Sequence, residues 1–227
     1  MAARKYGQYC GVVSALELVG ERWALLIVRD LLVGPRRYSD LKAGLPRIPT
    51  NILSTRLKEL QEGGVVRRVP TVRAGYELTE YGRELEDVVL ALGRWGFKAM
   101  GDPKEGDIVT TDSLTMAFRT AFRADAARGL PGSTYLVHVG DVSLVLRTSA
   151  DGLRVNPLHG QLPAVAARLR DEDAAAPDLE FAAGPGIRRL ISGELSASDA
   201  VTRGVVHVLR GDPALLERFA RTFHLDP

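Results

Sequence analysis

The fold of the N-terminal part is decided by residues 36–69, which have the sequence RRYSDLKAGLPRIPTNILSTRLKELQEGGVVRRV. Two short amphipathic segments flank a tight connection that contains Pro46. Ser39 is a suitable N-cap for the first segment, through Leu45, and Pro49 suits the first turn of the second. The glycine pair at 63–64 ends the second segment ahead of a β-like run. The pattern predicts two helices joined by a turn and followed by a strand.

Apolar periodicity extends this prediction on both sides. Helices are expected at Cys10–Val19 and Trp23–Val33, where apolar residues recur at helical spacing. Val65–Val69 and Tyr76–Leu78 are typical of a hairpin, and Thr79 is a suitable N-cap for a helix to about Met100. Four helices, a hairpin and a further helix are the order of a winged helix, mostly helical with one β-hairpin wing.

Basic residues are concentrated in the same part of the chain. The net charge of the whole chain is +2, but residues 1–100 contain 16 Lys and Arg against 11 Asp and Glu. Residues 101–227 contain 14 against 17, and the span from Arg29 to Arg73 contains ten basic and four acidic residues. A localised basic surface favours a polyanionic partner, because neutralising phosphates releases condensed counterions.

The second helix of the quoted stretch has the side chains that groove reading needs. If Leu53, Leu57 and Leu60 face the core, helical geometry turns the polar residues outward. Small polar and amide groups approach base edges, while arginines suit phosphates. The alternative is an ordinary solvated face, which the convergence of basic clusters disfavours. The predicted DNA-binding residues are Arg36, Arg37, Arg47, Thr50, Asn51, Ser54, Thr55, Lys58, Arg67, Arg68 and Arg73.

Several motifs within residues 6–98 together resemble the HxlR family of bacterial winged-helix regulators. They are Cys10, ERWALLIVRDLLVGPRRYSDL at 21–41, LSTRLKEL at 53–60, YELTEYG at 76–82 and Trp95-Gly96. The resemblance implies a homodimer that binds operator DNA with the helix matched by Pro49–Gln61. The segment Val69–Tyr76 is shorter than usual in the family and lacks its proline-rich approach to the second strand. This departure bears on the contact from Arg73.

The helix expected at Thr79–Met100 carries more apolar surface than an exposed helix needs, ending in Trp95 and Phe97. We expect it to pack with the first helix across a two-fold axis. The recognition helices would then lie about 34 Å apart, one turn of DNA. The predicted dimerisation residues are Val12, Leu16, Val19, Leu85, Val89, Leu92 and Trp95.

Cys10 is the single cysteine, which excludes an internal disulfide framework. The family resemblance implies that a thiol at this position senses oxidants in some members, which requires a stabilised thiolate. The alternative, which we favour, is a small buried residue at the dimer seam. On that interpretation, Cys10→Ser leaves operator affinity and its oxidant response unchanged.

A polar segment rich in Gly and Pro, GDPKEGD at residues 101–107, predicts a linker between a domain at 1–100 and another at 108–227. Beyond it, helices are expected at Ser113–Ala127 and Leu162–Leu169, with a hairpin around Gly140-Asp141. Strand-like runs alternate with helical segments. The fold class is therefore α+β, the second domain having an antiparallel sheet with helices on one face.

The order of these elements resembles sterol carrier protein-like domains over about residues 108–225, as do the segments Leu190–Glu194 and Val205–Pro213. The resemblance implies an apolar tunnel for lipids between sheet and helices. The apolar side chains here either line such a space or close it as ordinary core. The predicted ligand-binding residues are Phe118, Phe122, Val137, Val145, Leu190, Val206, Phe219 and Phe223.

Signatures of catalysis, metal binding or nucleotide binding are missing from the sequence: it contains no HExxH, CxxC, GxSxG or phosphate-loop pattern. His138 and His207 lie in strand-like runs and are expected to be ordinary polar residues. We predict no enzyme, no metal and no cofactor. The absence of a long apolar run or secretory signal predicts a cytoplasmic protein without a membrane span.

Two functional hypotheses follow. The first is a homodimeric transcriptional regulator that binds double-stranded operator DNA and is modulated by an apolar small molecule or lipid in the second domain. The alternative is a lipid or sterol carrier whose N-terminal domain serves dimerisation or docking. Specific DNA binding distinguishes them.

Overall fold

The computed structural model of the chain describes residues 5–70, 75–158 and 176–226. Its contacts form two units, one up to Ala91 and the other from Leu92 onward. The elements that begin in the first unit are α1 (Gly11–Val19), α2 (Ala24–Val33), α3 (Tyr38–Gly44), α4 (Thr50–Glu62), β1 (Val66–Val69), β2 (Gly75–Leu78), α5 (Glu80–Arg83) and α6 (Leu85–Lys98).

These elements confirm the predicted order of helices and hairpin, and several boundaries differ. Trp23 precedes α2 in a left-handed conformation, with φ of 82°. Arg37, rather than Ser39, is the N-cap of α3, because the Asp40 carboxylate accepts the Arg37 backbone N–H at 2.9 Å. The helix expected at Thr79–Met100 is interrupted at Glu84.

The start of α5 packs tightly against the beginning of the hairpin. The Thr79 hydroxyl accepts the backbone N–H of Gly82 at 3.0 Å, which confirms Thr79 as an N-cap. A Cβ added to Gly82 would lie 2.1 Å from the carbonyl oxygen of Val65. Only glycine permits this approach, so packing requires the glycine that ends the YELTEYG motif.

The core of the first unit forms where α2, α3 and α4 meet the hairpin. Ile27, Val28 and Leu41 are fully buried, and Tyr76 and Leu78 of β2 close the cluster from the other side. The predicted inward face of α4 is confirmed, since its three leucines are at most 1% exposed. Each such side chain contributes about 1.5–3 kcal/mol of burial free energy.

The predicted linker at 101–107 is not where the contacts divide the chain, because the division falls within α6. Leu85 and Val89 of this helix pack on the core of the first unit. Phe97 packs on the core of the second. Asp102 accepts a 3.0 Å hydrogen bond from Arg189 Nε, and hydrogen bonding from Arg189 lowers the pKa of this carboxyl below its ordinary value. This part of the segment is therefore held by side-chain contacts.

The second unit combines a five-stranded sheet with helices. Its elements are α7 (Thr111–Ala121), α8 (Ala124–Ala127), β3 (Ser133–Val139), β4 (Val142–Ser149), β5 (Gly152–Leu158), β6 (Leu179–Ala183), a 3₁₀ turn (Pro185–Ile187), α9 (Arg188–Ile191), α10 (Ala197–Thr202), β7 (Val206–Gly211) and α11 (Ala214–Thr222). The α+β class is thereby confirmed. The helix expected at Leu162–Leu169 lies outside the described residues.

The sheet is mixed, so the prediction of an antiparallel sheet is wrong. The strand order is β5-β4-β3-β6-β7, and β6 runs parallel to β3. A parallel pair needs a crossover of a dozen or more residues, and residues 140–178, which include β4 and β5, connect β3 to β6. Local hairpin signals give no information about this long-range pairing.

The tight hairpin between β3 and β4 corrects one predicted grouping. Val139 pairs with Val142 around Gly140-Asp141, so Val137 pairs with Leu144, and Val145 pairs with Leu136. Successive residues of a strand face opposite sides. Val137 and Val145 therefore lie on opposite faces of the sheet and cannot line one space.

His138 is buried, contrary to the expectation of an ordinary polar strand residue, whereas His207 is exposed. The Nδ1 atom of His138 lies 2.7 Å from Ser143 Oγ, and the Nε2 atom of His138 lies 3.1 Å from Glu180 Oε1. These residues lie on β3, β4 and β6, so the trio links three adjacent strands. Ser143 is 5% exposed, and its hydroxyl is occupied within the sheet rather than presented to solvent.

A cluster of aromatic rings fills the core on the other face. The ring of Phe219 lies 4.7–6.0 Å, between centroids, from the rings of Phe118, Tyr135, Phe181 and Phe223. Most of these contacts are edge-to-face, which is a favourable arrangement for aromatic pairs. Within the described residues, no helix has the length and apolar character needed to cross a membrane.

Replacing Phe219 with alanine is expected to lower the free energy of unfolding of the second unit by about 3–5 kcal/mol, because a cavity opens among four rings. Urea denaturation followed by circular dichroism measures the loss. Leu209→Ala is the control, since Leu209 is 53% exposed on β7 and should change stability by less than about 0.5 kcal/mol. Equal losses in the two variants would contradict the assigned core.

Candidate nucleic-acid interface

The outer face of α4 is accessible, as expected from its inward leucines. Thr50, Asn51, Ser54 and Lys58 are exposed, and Thr55 is half-buried. The Asn51 amide forms no hydrogen bond within the described part of the chain and keeps both its donor and its acceptor available. Asn51 therefore has the chemistry to pair with an adenine edge in the major groove.

Tyr38 joins the two helices of the helix–turn–helix and was missed by sequence analysis. Its hydroxyl donates to the Thr50 carbonyl oxygen at 2.8 Å and lies 3.2 Å from Ser54 Oγ. This contact ties the start of α3 to the first turn of α4. A tyrosine twelve residues before its partner carries no spacing signal, so only the folded arrangement identifies it.

Two hydroxyls on α4 donate within the helix. Ser54 donates to the carbonyl oxygen of Thr50 at 3.1 Å, and Thr55 donates to that of Asn51 at 2.9 Å. Each hydroxyl has one hydrogen and then offers mainly its acceptor lone pairs. At these two positions the outer face of α4 therefore presents hydrogen-bond acceptors rather than donors.

The arginines of the hairpin differ in their surroundings. Arg67 and Arg68 are adjacent in β1 and face opposite sides of the strand. Arg67 pairs with Glu77 directly across the hairpin at 2.6 Å. Arg68 stacks on the Tyr76 ring at 5.3 Å from its centroid and donates to the Tyr76 hydroxyl at 3.0 Å. The Arg67 and Arg68 side chains therefore cannot both make the same contact with a DNA backbone.

The remaining predicted phosphate contacts are placed around the start of α3 and the turn before α4. Arg37 and Arg47 are exposed. Arg36 is half-buried, and its backbone exchanges two hydrogen bonds with that of Tyr76, at 2.7 and 3.0 Å. Lys58 forms an exposed pair with Glu62 at 3.7 Å, which water and salt screen. Arg73 lies outside the described residues.

The predicted dimerisation residues separate into two groups. Val19 is 7% exposed and belongs to the core of its own unit, so the prediction that it faces a partner is wrong. Leu85 and Val89 are half-buried against the same core. The exposed members are Val12 (68%), Leu16 (45%), Leu92 (43%) and Trp95 (74%). Val88 on α6 is also exposed, at 47%.

Cys10 is exposed in the single chain, and its burial at a dimer seam stays a prediction. It is the N-cap of α1, and the backbone N–H groups of Val13 and then of Val12 lower the pKa of its thiol below the ordinary value. Amides at a helix start stabilise a thiolate. The insensitivity of operator binding to Cys10→Ser likewise stays a prediction.

Alkylation of Cys10 by iodoacetamide should reach its half-maximal rate at a lower pH in the folded protein than in urea, because the thiolate is the reacting form. Mass spectrometry follows the adduct, and Cys10→Ser supplies the unlabelled control. Coincident pH profiles in the two states would show that the start of α1 has no effect on the thiol.

The predicted ligand-binding residues lie mainly in the core of the second unit. Phe118, Val137, Leu190, Val206, Phe219 and Phe223 are at most 1% exposed and belong to one cluster, with half-buried Phe122 packed against it. Val145 is buried on the opposite face of the sheet. A separate open cleft of about 510 Å³ includes only Leu190 of this set. Within the described residues, no group of three or more His, Cys, Asp or Glu side chains is placed to hold a metal ion.

Comparison with known proteins identifies the first unit. The model of the HxlR-like helix-turn-helix family matches residues 18–104. An uncharacterized HTH-type transcriptional regulator of Mycobacterium tuberculosis is 45% identical over 97 residues, covering 41% of this chain and 61% of that protein. The uncharacterized HTH-type transcriptional regulator YvaP of Bacillus subtilis is 40% identical over 86 residues, covering 36% of this chain and 80% of YvaP. The chain belongs to the HxlR-like helix-turn-helix family.

A crystal structure of YtcD matches 40% of this chain and 96% of its own, at 36% identity and a TM-score of 0.38. The chain spans 61% of the length of the mycobacterial relative, and the family match ends at residue 104. The resemblance of residues 108–225 to sterol carrier proteins stays a prediction.

Proposed function

We propose that this protein is a transcriptional regulator that binds double-stranded operator DNA as a homodimer, with α4 as the recognition helix. The observation that carries the proposal is that α4 is amphipathic, with one side buried in the core and the opposite side exposed and polar. Its three leucines are buried, while the opposite side exposes an amide, small hydroxyls and Lys58. Relatives that share this unit are named transcriptional regulators.

The contacts divide by chemistry into base reading and backbone binding. Asn51 is proposed to read a base, because its amide is exposed near the start of the helix that would enter the groove. Lys58, Arg37, Arg47 and Arg68 are proposed to bind phosphates. Arg67 is the weaker contributor, because Glu77 compensates its charge.

Asn51→Ala and Lys58→Ala should have different effects on operator binding. Losing a bidentate base contact costs about 1–3 kcal/mol on the operator alone. Losing a phosphate contact weakens binding to every sequence and reduces the salt slope by about one. Fluorescence anisotropy on an operator selected from genomic fragments, and on scrambled DNA, measures both at several salt concentrations.

Arg203→Ala is the matched control, since Arg203 is an exposed arginine of the second unit. It should leave the affinity and salt slope unchanged. Equal behaviour of the Asn51 and Lys58 variants on both DNAs would contradict the assigned roles. No specific DNA binding by the wild-type protein would contradict the proposed function itself.

Dimerisation is proposed through the exposed apolar side chains of α1 and α6. None of the residues of α6 is buried in the single chain. Val88, Leu92 and Trp95 follow one another at helical spacing and are 43–74% exposed. An exposed apolar stripe of this kind is typical of a protein–protein contact, because packing against a partner removes its apolar surface from water. We assign the stripe to a partner copy, packed with its α1.

Trp95→Ala should weaken the dimer at least tenfold, because a tryptophan at the centre of an interface commonly supplies 2 kcal/mol or more. Sedimentation equilibrium measures the dissociation constant. Val201→Ala, which truncates a 40% exposed valine on α10, should leave it unchanged. A monomeric wild-type protein, or a Trp95 variant as tightly dimeric as the wild type, would argue against this interface.

We also propose that a small molecule bound in the second unit modulates operator binding. To do so, the ligand must prefer one DNA-binding state of the dimer. The alternative of a lipid carrier is not favoured, since the contacts of the predicted ligand residues are those of a packed core. It would also leave the exposed face of α4 without a role.

A further inference from the structure

We propose that the open cleft of the second unit binds a small monocarboxylate with an apolar body. The cleft has a volume of about 510 Å³, which lies within the 300–1,000 Å³ typical of small-molecule sites. This inference deepens the proposed ligand response, because it names a site and a chemical class of ligand. It also moves the ligand from the aromatic core to a surface cleft.

The floor of the cleft is apolar. Leu190, Leu195 and Ala197 are at most 7% exposed, and Ala126 and Ala220 are half-buried beside them. Ala126 comes from α8, Leu190 from α9, Ala197 from α10 and Ala220 from α11, and Leu195 lies between α9 and α10. A hydrocarbon chain laid there would remove its apolar surface from water at about 25 cal/mol per Å².

The walls are held by backbone hydrogen bonds between distant segments. Arg123 N–H donates to the Thr222 carbonyl, and His224 N–H donates to the Ala121 carbonyl, both at 2.8 Å. A Cβ added to Gly193, whose φ is +74°, would lie 3.0 Å from His224 Cε1. The imidazole therefore packs directly on the Gly193 backbone. A pre-formed cleft of this kind needs little ordering when a ligand binds.

The rim carries more hydrogen-bond donors than acceptors. Arg221 is exposed and has no ion pair or hydrogen bond from its guanidinium within the described part of the chain. Arg123 donates to Asp125 at 3.1 Å and lowers the pKa of that carboxyl. This bond uses only some of the N–H donors of the Arg123 guanidinium. His224 lies 3.3 Å from Asp226. Ser196 is occupied as the N-cap of α10.

Glu217 is the acidic side chain on the rim, and it determines which anions fit. It lies one helical turn from Arg221 on α11, yet the two groups form no ion pair. One carboxylate on the ligand can pair with Arg221 in a bidentate manner. A dicarboxylate brings a second negative charge to a rim that already carries Glu217, and like charges in close proximity repel. We therefore expect the cleft to favour monocarboxylates over dicarboxylates.

Isothermal titration of the full-length protein with octanoate, octanamide and octanedioate tests the site. These probes share a chain length and differ in head-group charge. Octanoate should bind saturably and at least tenfold more tightly than octanamide, because a charge-assisted pair with Arg221 is lost in the amide. Octanedioate should also bind more weakly than octanoate. Failure of octanoate to bind, or equal affinity for octanoate and octanamide, would overturn the proposal.

Variants localise the binding to the cleft. Arg221→Gln should remove the preference for octanoate over octanamide, and Glu217→Gln should remove the discrimination against octanedioate. Both side chains are exposed, and unchanged circular dichroism shows that the variants are folded. Arg203→Gln is the control and should bind like the wild type. An unchanged octanoate affinity in Arg221→Gln would place binding elsewhere and overturn the assignment.

Operator titrations with and without octanoate separate this inference from the proposed function. Specific operator binding without octanoate binding would refute the cleft and leave the DNA-binding proposal intact. Octanoate binding without specific operator binding would do the reverse. A shift in operator affinity that is lost in Arg221→Gln is the result expected if both hold.

Discussion

Burial of Leu53, Leu57 and Leu60 on one side of α4 is the constraint on which the first unit depends. A helix that buries every third or fourth residue has no freedom to rotate about its axis, because any rotation would expose a leucine and bury a polar group. The side presented to solvent is therefore specified by the side in the core. The proposed DNA-reading surface is a consequence of that packing.

Hydrogen bonds and ion pairs then divide the polar side chains into those held by the protein and those left for a partner. The Thr50 carbonyl accepts the hydroxyl hydrogens of Tyr38 and Ser54, and Glu77 compensates Arg67. Asn51 keeps its amide available. Residue type alone does not show which hydrogen-bond and ion-pair partners the fold supplies to Asn51, Ser54 and Arg67. The functional surface is thus narrower than the set of polar residues.

In the second unit, the corresponding constraint is the register of the sheet. The two-residue turn at Gly140-Asp141 determines which residues of β3 and β4 share a face. One face packs on the aromatic cluster, and the other carries His138 with its partners on the neighbouring strands. The aromatic rings occupy one another's space, so the proposed ligand site lies where α8, α9, α10 and α11 leave a gap. The proposed site therefore depends on the exposed ends and connections of these helices rather than on the aromatic core.

The sequence by itself determined the elements of the first unit, its family resemblance and the outward face of α4. These follow from local periodicity, caps and glycine positions, which act over a few residues. Only the tertiary structure decided that β6 joins β3 in parallel, that Val19 is buried, and that Arg123 and Arg221 meet at one cleft. The physical reason is distance along the chain. Contacts between residues far apart in the chain depend on how whole elements pack. The amino acids next to each contacting residue carry no local signal of that packing.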